Sequence, residues 1–189
     1  MDKNELKMYN EPLDKKYKEV RFLYKDIDDI EKYHVHQIDI DGKKRYVLCK
    51  HYENKRCPLC DAGYECFYKA FIRFKSDIDE DFIIWVKDAK FLDDIKKDLK
   101  GYKGYLSDNI VRIIHIDGRN KHLFLNRNDE KFALKINEYK PIDKLEVPRK
   151  SAKEILIVPT TMKQLDYYAK HKKFEEKIEN EFVYMNKKK

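Results

Sequence analysis

All four cysteines of the chain lie in one short segment, between Cys49 and Cys66. Two of them form the motif Cys57-Pro58-Leu59-Cys60, whose tight turn lets two thiolates bind the same metal ion. Because the chain begins without a signal-like apolar stretch, we expect a cytoplasmic protein, in which thiols stay reduced. A thioredoxin-like redox pair would need the motif at a helix N-terminus after a buried strand, and no such pattern precedes it. The spacing therefore favours metal binding.

A tetrahedral zinc site built on this motif needs two further ligands. Cys49 is the natural third ligand, because it precedes the motif by a spacing that suits a hairpin folding back. The candidates for the fourth ligand are His34, His36, His51 and Cys66. We favour His36, since a hairpin turn at Asp41-Gly42 would place it beside Cys49. The predicted ligands of one structural Zn²⁺ are thus His36, Cys49, Cys57 and Cys60, with no position left for a catalytic water.

Alternation of apolar residues predicts a mainly β protein of the α+β class, with six to eight short strands and two helices. The internal helix should begin after a cap at Asp88, and the terminal helix at a capping box formed by Thr161 and Gln164. A Greek-key barrel of the oligonucleotide-binding (OB) type fits this inventory. Nine segments are candidates for these six to eight strands: 19–24, 33–40, 43–50, 66–75, 82–87, 109–117, 121–127, 131–136 and 154–158.

The same pattern predicts three parts in the chain. Residues 1–32 form an N-terminal arm, residues 33–158 form the OB-like core, and residues 159–189 form a C-terminal helix with a basic tail. A zinc subdomain at about 34–66 is inserted in the core.

Positive charge is concentrated in particular segments. The chain has 42 Lys and Arg against 35 Asp and Glu, a formal net charge of +7. Residues 41–75 carry +5 and residues 100–140 carry +4, whereas residues 76–99 between them carry −4. Two basic stretches that fold together would form a groove for phosphates. A lysine-rich proteome could also produce such patches, so charge alone does not decide the partner.

Aromatic and basic side chains alternate on the strands that follow the cysteine motif. Unpaired bases stack on aromatic rings while cationic side chains contact phosphates, so this pattern is typical of single-strand binding. Phe71 and Trp85 have an alternative role in packing a second core. The predicted nucleic-acid contacts are Lys55, Arg56, Phe67, Lys69, Phe71, Arg73, Lys75, Trp85, Lys87 and Arg112.

Over residues 33–118 the chain resembles the zinc-containing single-stranded DNA-binding proteins of tailed bacteriophages. The resemblance rests on His36, Cys49, the CPLC motif with Gly63 after it, the aromatic strand 67–74, and the segment IIWVKDAKFLDDI. It implies an OB fold, a structural zinc ion, and non-sequence-specific, cooperative binding of single strands during phage DNA replication, recombination and repair. The expected partners are single-stranded DNA, with RNA as an alternative, and either replication proteins or further copies of the protein along the strand. The expected location is the cytoplasm of an infected bacterium.

Two alternatives remain open at the level of sequence. A zinc module of this kind could bind a host or phage protein instead of DNA. The stretch IIHIDGRNKHLFLNRND, with His115 and His122, is superficially similar to a His-Asn-His nuclease, which requires a helix after its hairpin. The residues that follow alternate as a strand would, so we expect no enzymatic activity.

Overall fold

Eight strands and four short helices make up the part of the chain that the computed structural model describes, namely residues 7–8, 17–76, 82–99, 105–108, 111–116, 119–124 and 151–174. The strands are β1 (Lys7–Met8), β2 (Tyr17–Phe22), β3 (Glu31–Ile40), β4 (Lys43–Leu48), β5 (Phe67–Ser76), β6 (Phe82–Asp88), β7 (Val111–Ile116) and β8 (Arg119–Phe124). The helices are α1 (Pro58–Asp61), α2 (Phe91–Asp98), α3 (Ala152–Leu156) and α4 (Met162–His171). The α+β class is thus confirmed. In these residues no helix is both long and apolar enough to cross a lipid bilayer.

The chain divides into two compact units, each built from two separate stretches of sequence. Unit 1 comprises residues 1–31 and 70–149, and unit 2 comprises residues 32–69 and 150–189. This division differs from the three consecutive parts expected from sequence. The segment expected to be an arm contributes β2 to the sheet of unit 1, because Val20 and Phe22 on that strand are fully apolar and buried.

The sheet of unit 1 has the strand order β1-β6-β5-β2-β7-β8. β2 lies between β5 and β7 and pairs with both in antiparallel fashion, while β1 pairs with β6 in parallel. β7 and β8 pair in antiparallel fashion, as the sequence predicts, but β8 begins earlier than the predicted strand 121–127, with Arg119 opposite Ile116 and Asn120 opposite His115. Among the described strands β1 and β8 end the order without pairing to each other, so closure into an OB barrel stays a prediction.

An apolar core lies on this sheet of unit 1. α2 contributes Leu92 and Ile95 at helical spacing, with Phe91 and Leu99 packed at the edge, as the sequence predicts. The buried residues of the core are Val20, Phe22, Tyr24, Ile27, Ile30, Ala70, Ile72, Phe74, Trp85, Leu92, Ile95, Leu106 and Val111.

Unit 2 is organised by the β3–β4 hairpin. The turn residues Asp41 and Gly42 have φ values of 52° and 73°, the conformation of a two-residue type I′ turn. Asp39 accepts a hydrogen bond from the Gly42 N–H through its carboxylate, which closes the turn. The predicted hairpin is therefore confirmed, with Val35 opposite Leu48 and His36 opposite Val47.

The terminal helix α4 begins where the sequence predicts. The Thr161 hydroxyl accepts from the Gln164 N–H at 3.2 Å, and the Gln164 side chain accepts from the Thr161 N–H at 2.8 Å. Leu165 and Tyr168 then turn inward to the hydrophobic cluster of unit 2. Ile178 and Phe182, expected on the same stripe, lie outside the described residues.

Two local predictions are wrong. Residues 154–158 do not form a strand, because a capping box between Ser151 and Glu154 begins α3 at Ala152; only Ile157 makes a single β-bridge, to Tyr46. Asp88 does not cap α2, because it is the last residue of β6 and Lys90 occupies the cap position. The strand predicted at 131–136 lies outside the described residues.

Candidate metal centre

The four predicted metal ligands converge in unit 2. The ligand atoms of His36, Cys49, Cys57 and Cys60 all lie within 4.8 Å of one another. His36 projects from the middle of β3, and Cys49 directly follows β4, where its N–H donates to the His34 carbonyl at 2.9 Å. The hairpin therefore brings one histidine and one cysteine to the same place. His36, Cys49 and Cys57 are buried, and Cys60 is half-buried.

The Cys57–Cys60 motif forms a tight helical turn. Pro58 takes the first helical position, where its missing N–H costs nothing and its fixed φ favours the helix. The Cys57 carbonyl accepts from the Asp61 N–H at 3.1 Å. Gly63, with a φ of 80°, ends the turn in a left-handed backbone conformation that is strained for residues with a side chain. Both thiols consequently point to the side on which Cys49 and His36 lie.

The spacing of these atoms fits a tetrahedral zinc ion. Zinc bonds of ordinary length imply ligand separations of about 3.8 Å between two sulfurs and about 3.6 Å between sulfur and nitrogen. The Cys49 and Cys60 sulfurs are 3.5 Å apart. The His36 Nε2 lies 3.3 Å from the Cys57 sulfur and 3.6 Å from the Cys60 sulfur. Three thiols and one imidazole at these separations could hold one metal ion with four protein ligands.

A hydrogen bond sets the orientation of the histidine. The His36 Nδ1 lies 2.9 Å from the Glu65 carbonyl oxygen, so Nδ1–H donates and Nε2 keeps its lone pair for a metal. Burial lowers the pKa of His36, although the bond to Glu65 opposes the shift. The imidazole is therefore neutral at neutral pH, which is the form that binds metals. Sequence patterns cannot indicate Glu65, because its contribution comes from the backbone.

The thiols are poised differently. Burial acts to raise the pKa of Cys57, but hydrogen bonds from the backbone of Cys60, Lys50 and Leu59 outweigh it, so the pKa lies below its ordinary value. Burial and the neighbouring thiols raise the pKa of Cys60 to about 12. The protein alone thus makes the Cys57 thiol easier to deprotonate, whereas Cys60 needs the positive charge of a metal ion to lose its proton at neutral pH.

The other candidates for the fourth ligand are not among the four residues that converge. Cys66 is half-buried against the hydrophobic cluster of unit 2, and burial together with a hydrogen bond to Cys49 raises the pKa of the Cys66 thiol to about 12. His34 stacks on two tyrosines, and His51 is exposed with its ring edge-on to Tyr52. The choice of His36 therefore agrees with the geometry of the cluster.

Two predicted DNA contacts, Lys55 and Arg56, are exposed in the loop before the motif. Arg56 forms ion pairs with Asp61 at 2.6 Å and Asp166 at 3.5 Å. The Lys55 ammonium lies 4.0 Å from the Glu53 carboxylate. Both remain accessible to a phosphate, but for Arg56 such a contact would compete with two carboxylates.

Two predicted stacking rings require correction, because they are enclosed. Phe71 is fully buried on β5, a strand with neighbours on both sides. Trp85 is 3% exposed and packs edge-on against Phe74 and Phe91, while the Lys87 ammonium lies 4.4 Å from its ring centre. Neither ring offers a face to a base. The alternative role in core packing is the one that the structure supports.

The remaining predicted contacts are partly accessible. The Lys69 ammonium lies over the half-buried Phe67 ring at 5.0 Å. Arg73 is only 18% exposed and forms an ion pair with Glu31 at 3.3 Å. Lys75 and Lys87 are half-buried. Arg112 lies on β7 opposite Glu19 and Leu123.

The sequence pattern does not identify two exposed aromatic residues of unit 2. Tyr52 is 58% exposed and Tyr68 is 46% exposed. Period-two alternation assigns Tyr68 to the core face, and Tyr52 lies in an irregular segment without periodicity. Only exposure in the folded chain distinguishes them.

No known protein family, curated protein or solved structure was found to match the chain.

Proposed function

We propose that the protein binds single-stranded DNA without sequence preference, on an OB-like core stabilised by a structural zinc ion. The observation that carries the proposal is the convergence of His36, Cys49, Cys57 and Cys60, the residues on which the resemblance to phage single-strand-binding proteins depends. The proposed setting is phage DNA replication, recombination and repair in the bacterial cytoplasm.

The metal has a structural role in this proposal. His36, Cys49, Cys57 and Cys60 would hold the ion, and the four protein ligands leave no position for a reactive water. When bound, Zn²⁺ neutralises the thiolates and cross-links the β3–β4 hairpin to α1. The residues themselves position the loop between Cys49 and Cys57, which carries basic side chains. Accordingly, we propose no enzymatic activity.

Charge at this loop supports a polyanionic partner. Between Lys43 and Arg56 the chain has six basic residues and one acidic residue. Neutralised phosphates release counterions, so affinity should fall steeply as salt rises. Unpaired bases add stacking on exposed rings, which gives single strands an advantage over duplex.

Fluorescence anisotropy with a labelled thymidine oligonucleotide, as single strand and as duplex, tests the proposal. We expect the single strand to bind more tightly, with a log–log salt dependence of slope about −0.7 for each neutralised phosphate. Lys44→Glu, at an exposed position of β4, should weaken binding and reduce the magnitude of that slope. Lys90→Glu makes the same charge change in the acidic segment 76–99 and should leave both unchanged.

Several results would contradict the proposal. Wild-type protein that binds neither form of DNA would instead favour a zinc module that binds another protein. Cleavage of the oligonucleotide in the presence of divalent ions would favour the nuclease alternative. The helix that such a nuclease requires would fall in residues 125–150, which lie outside the described residues.

A further inference from the structure

Three aromatic rings in unit 2 form a stack that is separate from the metal ligands. The His34 and Tyr52 ring centres are 3.3 Å apart with planes inclined by 4°, and the His34 and Tyr68 ring centres are 4.3 Å apart with planes inclined by 14°. Two rings cannot cover the same face of an imidazole at these separations. His34 therefore lies between the two tyrosines, whose outer faces point away from it.

Both outer rings are presented to solvent. Tyr52 and Tyr68 account for two of the three large apolar side chains that are exposed among the described residues; Tyr105, in unit 1, is the third. Exposed, parallel aromatic faces are suited to stacking with a planar heterocycle. Since His34 already holds both rings, little side-chain freedom remains to be lost when such a partner binds.

The position of the stack links it to the metal centre. Tyr52 belongs to the 3₁₀ turn Lys50–Glu53, between the ligands Cys49 and Cys57, and Tyr68 follows Cys66 by two residues. The His34 carbonyl accepts from the N–H of Cys49. A metal ion at the cluster would therefore hold the backbone from which Tyr52 projects.

The charge of the segment that carries Tyr52 indicates the kind of partner. Residues 43–56 include six basic residues and one acidic residue. A planar aromatic partner joined to a chain of negative charges fits such a surface, whereas an apolar peptide gains nothing from the lysines.

The geometry points to the His34–Tyr52–Tyr68 stack as a platform on which nucleobases of single-stranded DNA stack through the outer faces of the two tyrosines. This inference rests on the proposed function and names the residues that contact the bases. In this inference basic residues of the segment 43–56 contact phosphates, and the tyrosines contribute the part of the affinity that needs bases.

An oligonucleotide without bases separates the two contributions. Binding of labelled (dT)12 and of an abasic strand of equal length is measured for the wild type, Tyr52→Leu and Tyr68→Leu. We expect each leucine variant to bind (dT)12 between about 5- and 150-fold more weakly and the abasic strand equally well. The slope of the salt dependence should not change, because no phosphate contact is removed.

Conservative and distant variants are the controls. Tyr52→Phe and Tyr68→Phe keep the ring and should bind like the wild type, whereas Tyr105→Leu removes an exposed ring from unit 1 and should have no effect. Metal content and far-ultraviolet circular dichroism report whether a leucine variant is folded. If a leucine variant does not fold, the platform is tested by the affinities of the wild type and the phenylalanine variants for (dT)12 and for the abasic strand.

The outcomes distinguish this inference from the proposed function. If both leucine variants bind (dT)12 as tightly as the wild type does, the inferred role of the tyrosines is wrong and single-strand binding is unaffected. An equal loss on both strands, or equal wild-type affinity for both, would also overturn that role, because stacking would not be involved. If the wild type binds no oligonucleotide, the proposed function fails and the platform with it.

Discussion

The interiors of the two units of this protein differ in the side chains that they bury. Unit 1 buries large apolar side chains, with Phe22, Ile72 and Phe74 fully enclosed. Unit 2 has a smaller apolar cluster, and its centre includes three thiols and a histidine. Burying polar groups is costly unless they are hydrogen-bonded or bind a metal. Unit 2 should therefore depend on a metal ion and unit 1 on hydrophobic burial.

This difference also bears on function. An apolar core can be enclosed on all sides, and Phe71 and Trp85 in unit 1 are enclosed in that way. A metal ion cross-links a short segment without a large core, so aromatic side chains in that segment can remain outside it. Tyr52 and Tyr68 in unit 2 are exposed, as we would expect in a segment held by a metal ion.

Removing one metal ligand should have the largest effect, and it should be confined to unit 2. We expect Cys57→Ser to reduce the metal content from about one zinc ion per chain to a small fraction, and to lower the stability of unit 2 by more than about 5 kcal/mol. Metal analysis by mass spectrometry and chelator titration measure both quantities.

Cys66→Ser is the matched control for this substitution. Cys66 is half-buried at the cluster but lies outside the four ligands. We expect it to retain one zinc ion per chain. If Cys66→Ser lost the metal while His36→Ala kept it, the ligand set would be four cysteines instead.

A core substitution in unit 1 should produce the reverse pattern. Phe74→Ala removes a fully buried ring that contacts Trp85. We expect the free energy of unfolding to fall by about 3–5 kcal/mol and the zinc content to stay unchanged. Urea unfolding monitored by Trp85 fluorescence measures the loss. The exposed Tyr105→Ala should change stability by less than about 0.5 kcal/mol. Loss of zinc from Phe74→Ala would show that the two interiors are not independent.

Removing single hydroxyls should have a smaller effect, similar in the two units. The Tyr24 hydroxyl donates to the Phe71 carbonyl and accepts from the Arg73 N–H, and the Tyr168 hydroxyl makes the same pair of bonds to the backbone of Asp39. Tyr24→Phe and Tyr168→Phe should each cost about 1 kcal/mol in urea unfolding. The exposed Tyr52→Phe should cost nothing measurable.

The same tyrosines predict the response to alkaline pH. Burial raises the pKa of both Tyr24 and Tyr168 above the ordinary value. Their contribution to stability is complete below the unfolded-state pKa of about 10 and is lost as pH rises through the folded-state values. Each phenylalanine variant should therefore lose stability less steeply than the wild type above about pH 10. An identical pH profile for wild type and variants would contradict this assignment.

Local patterns predict much of the fold. The Asp41-Gly42 turn, the capping box at Thr161 and the spacing of apolar residues in α2 each depend on neighbouring residues, and each is confirmed. The apolar pattern predicts a strand at residues 154–158 because a short apolar run fits either a strand or a helix. The capping box at Ser151 stabilises a helix there instead. The division into units could not be predicted, because each unit combines distant stretches of chain.

The candidate site was predictable to a similar extent. Residue type and spacing select Cys49, Cys57 and Cys60, and the predicted hairpin favours His36 over His34, His51 and Cys66 as the fourth ligand. Burial on β5 and β6 was not predictable, because alternation assigns the two faces of a strand but does not reveal that both faces are covered. The sequence therefore leaves both base stacking and core packing open for Phe71 and Trp85, and their burial decides for core packing.

The sequence by itself therefore determined the cysteine motif, a short list of candidates for the fourth ligand, the hairpin that brings His36 and Cys49 together and the basic segment around them, because these depend on residues close in the chain. Only the tertiary structure decided which aromatic rings are enclosed and which remain accessible. Exposure depends on which strands and helices pack over a side chain, and those elements come from distant parts of the sequence. His34, Tyr52 and Tyr68 are separated in the chain, yet their rings stack in the folded protein.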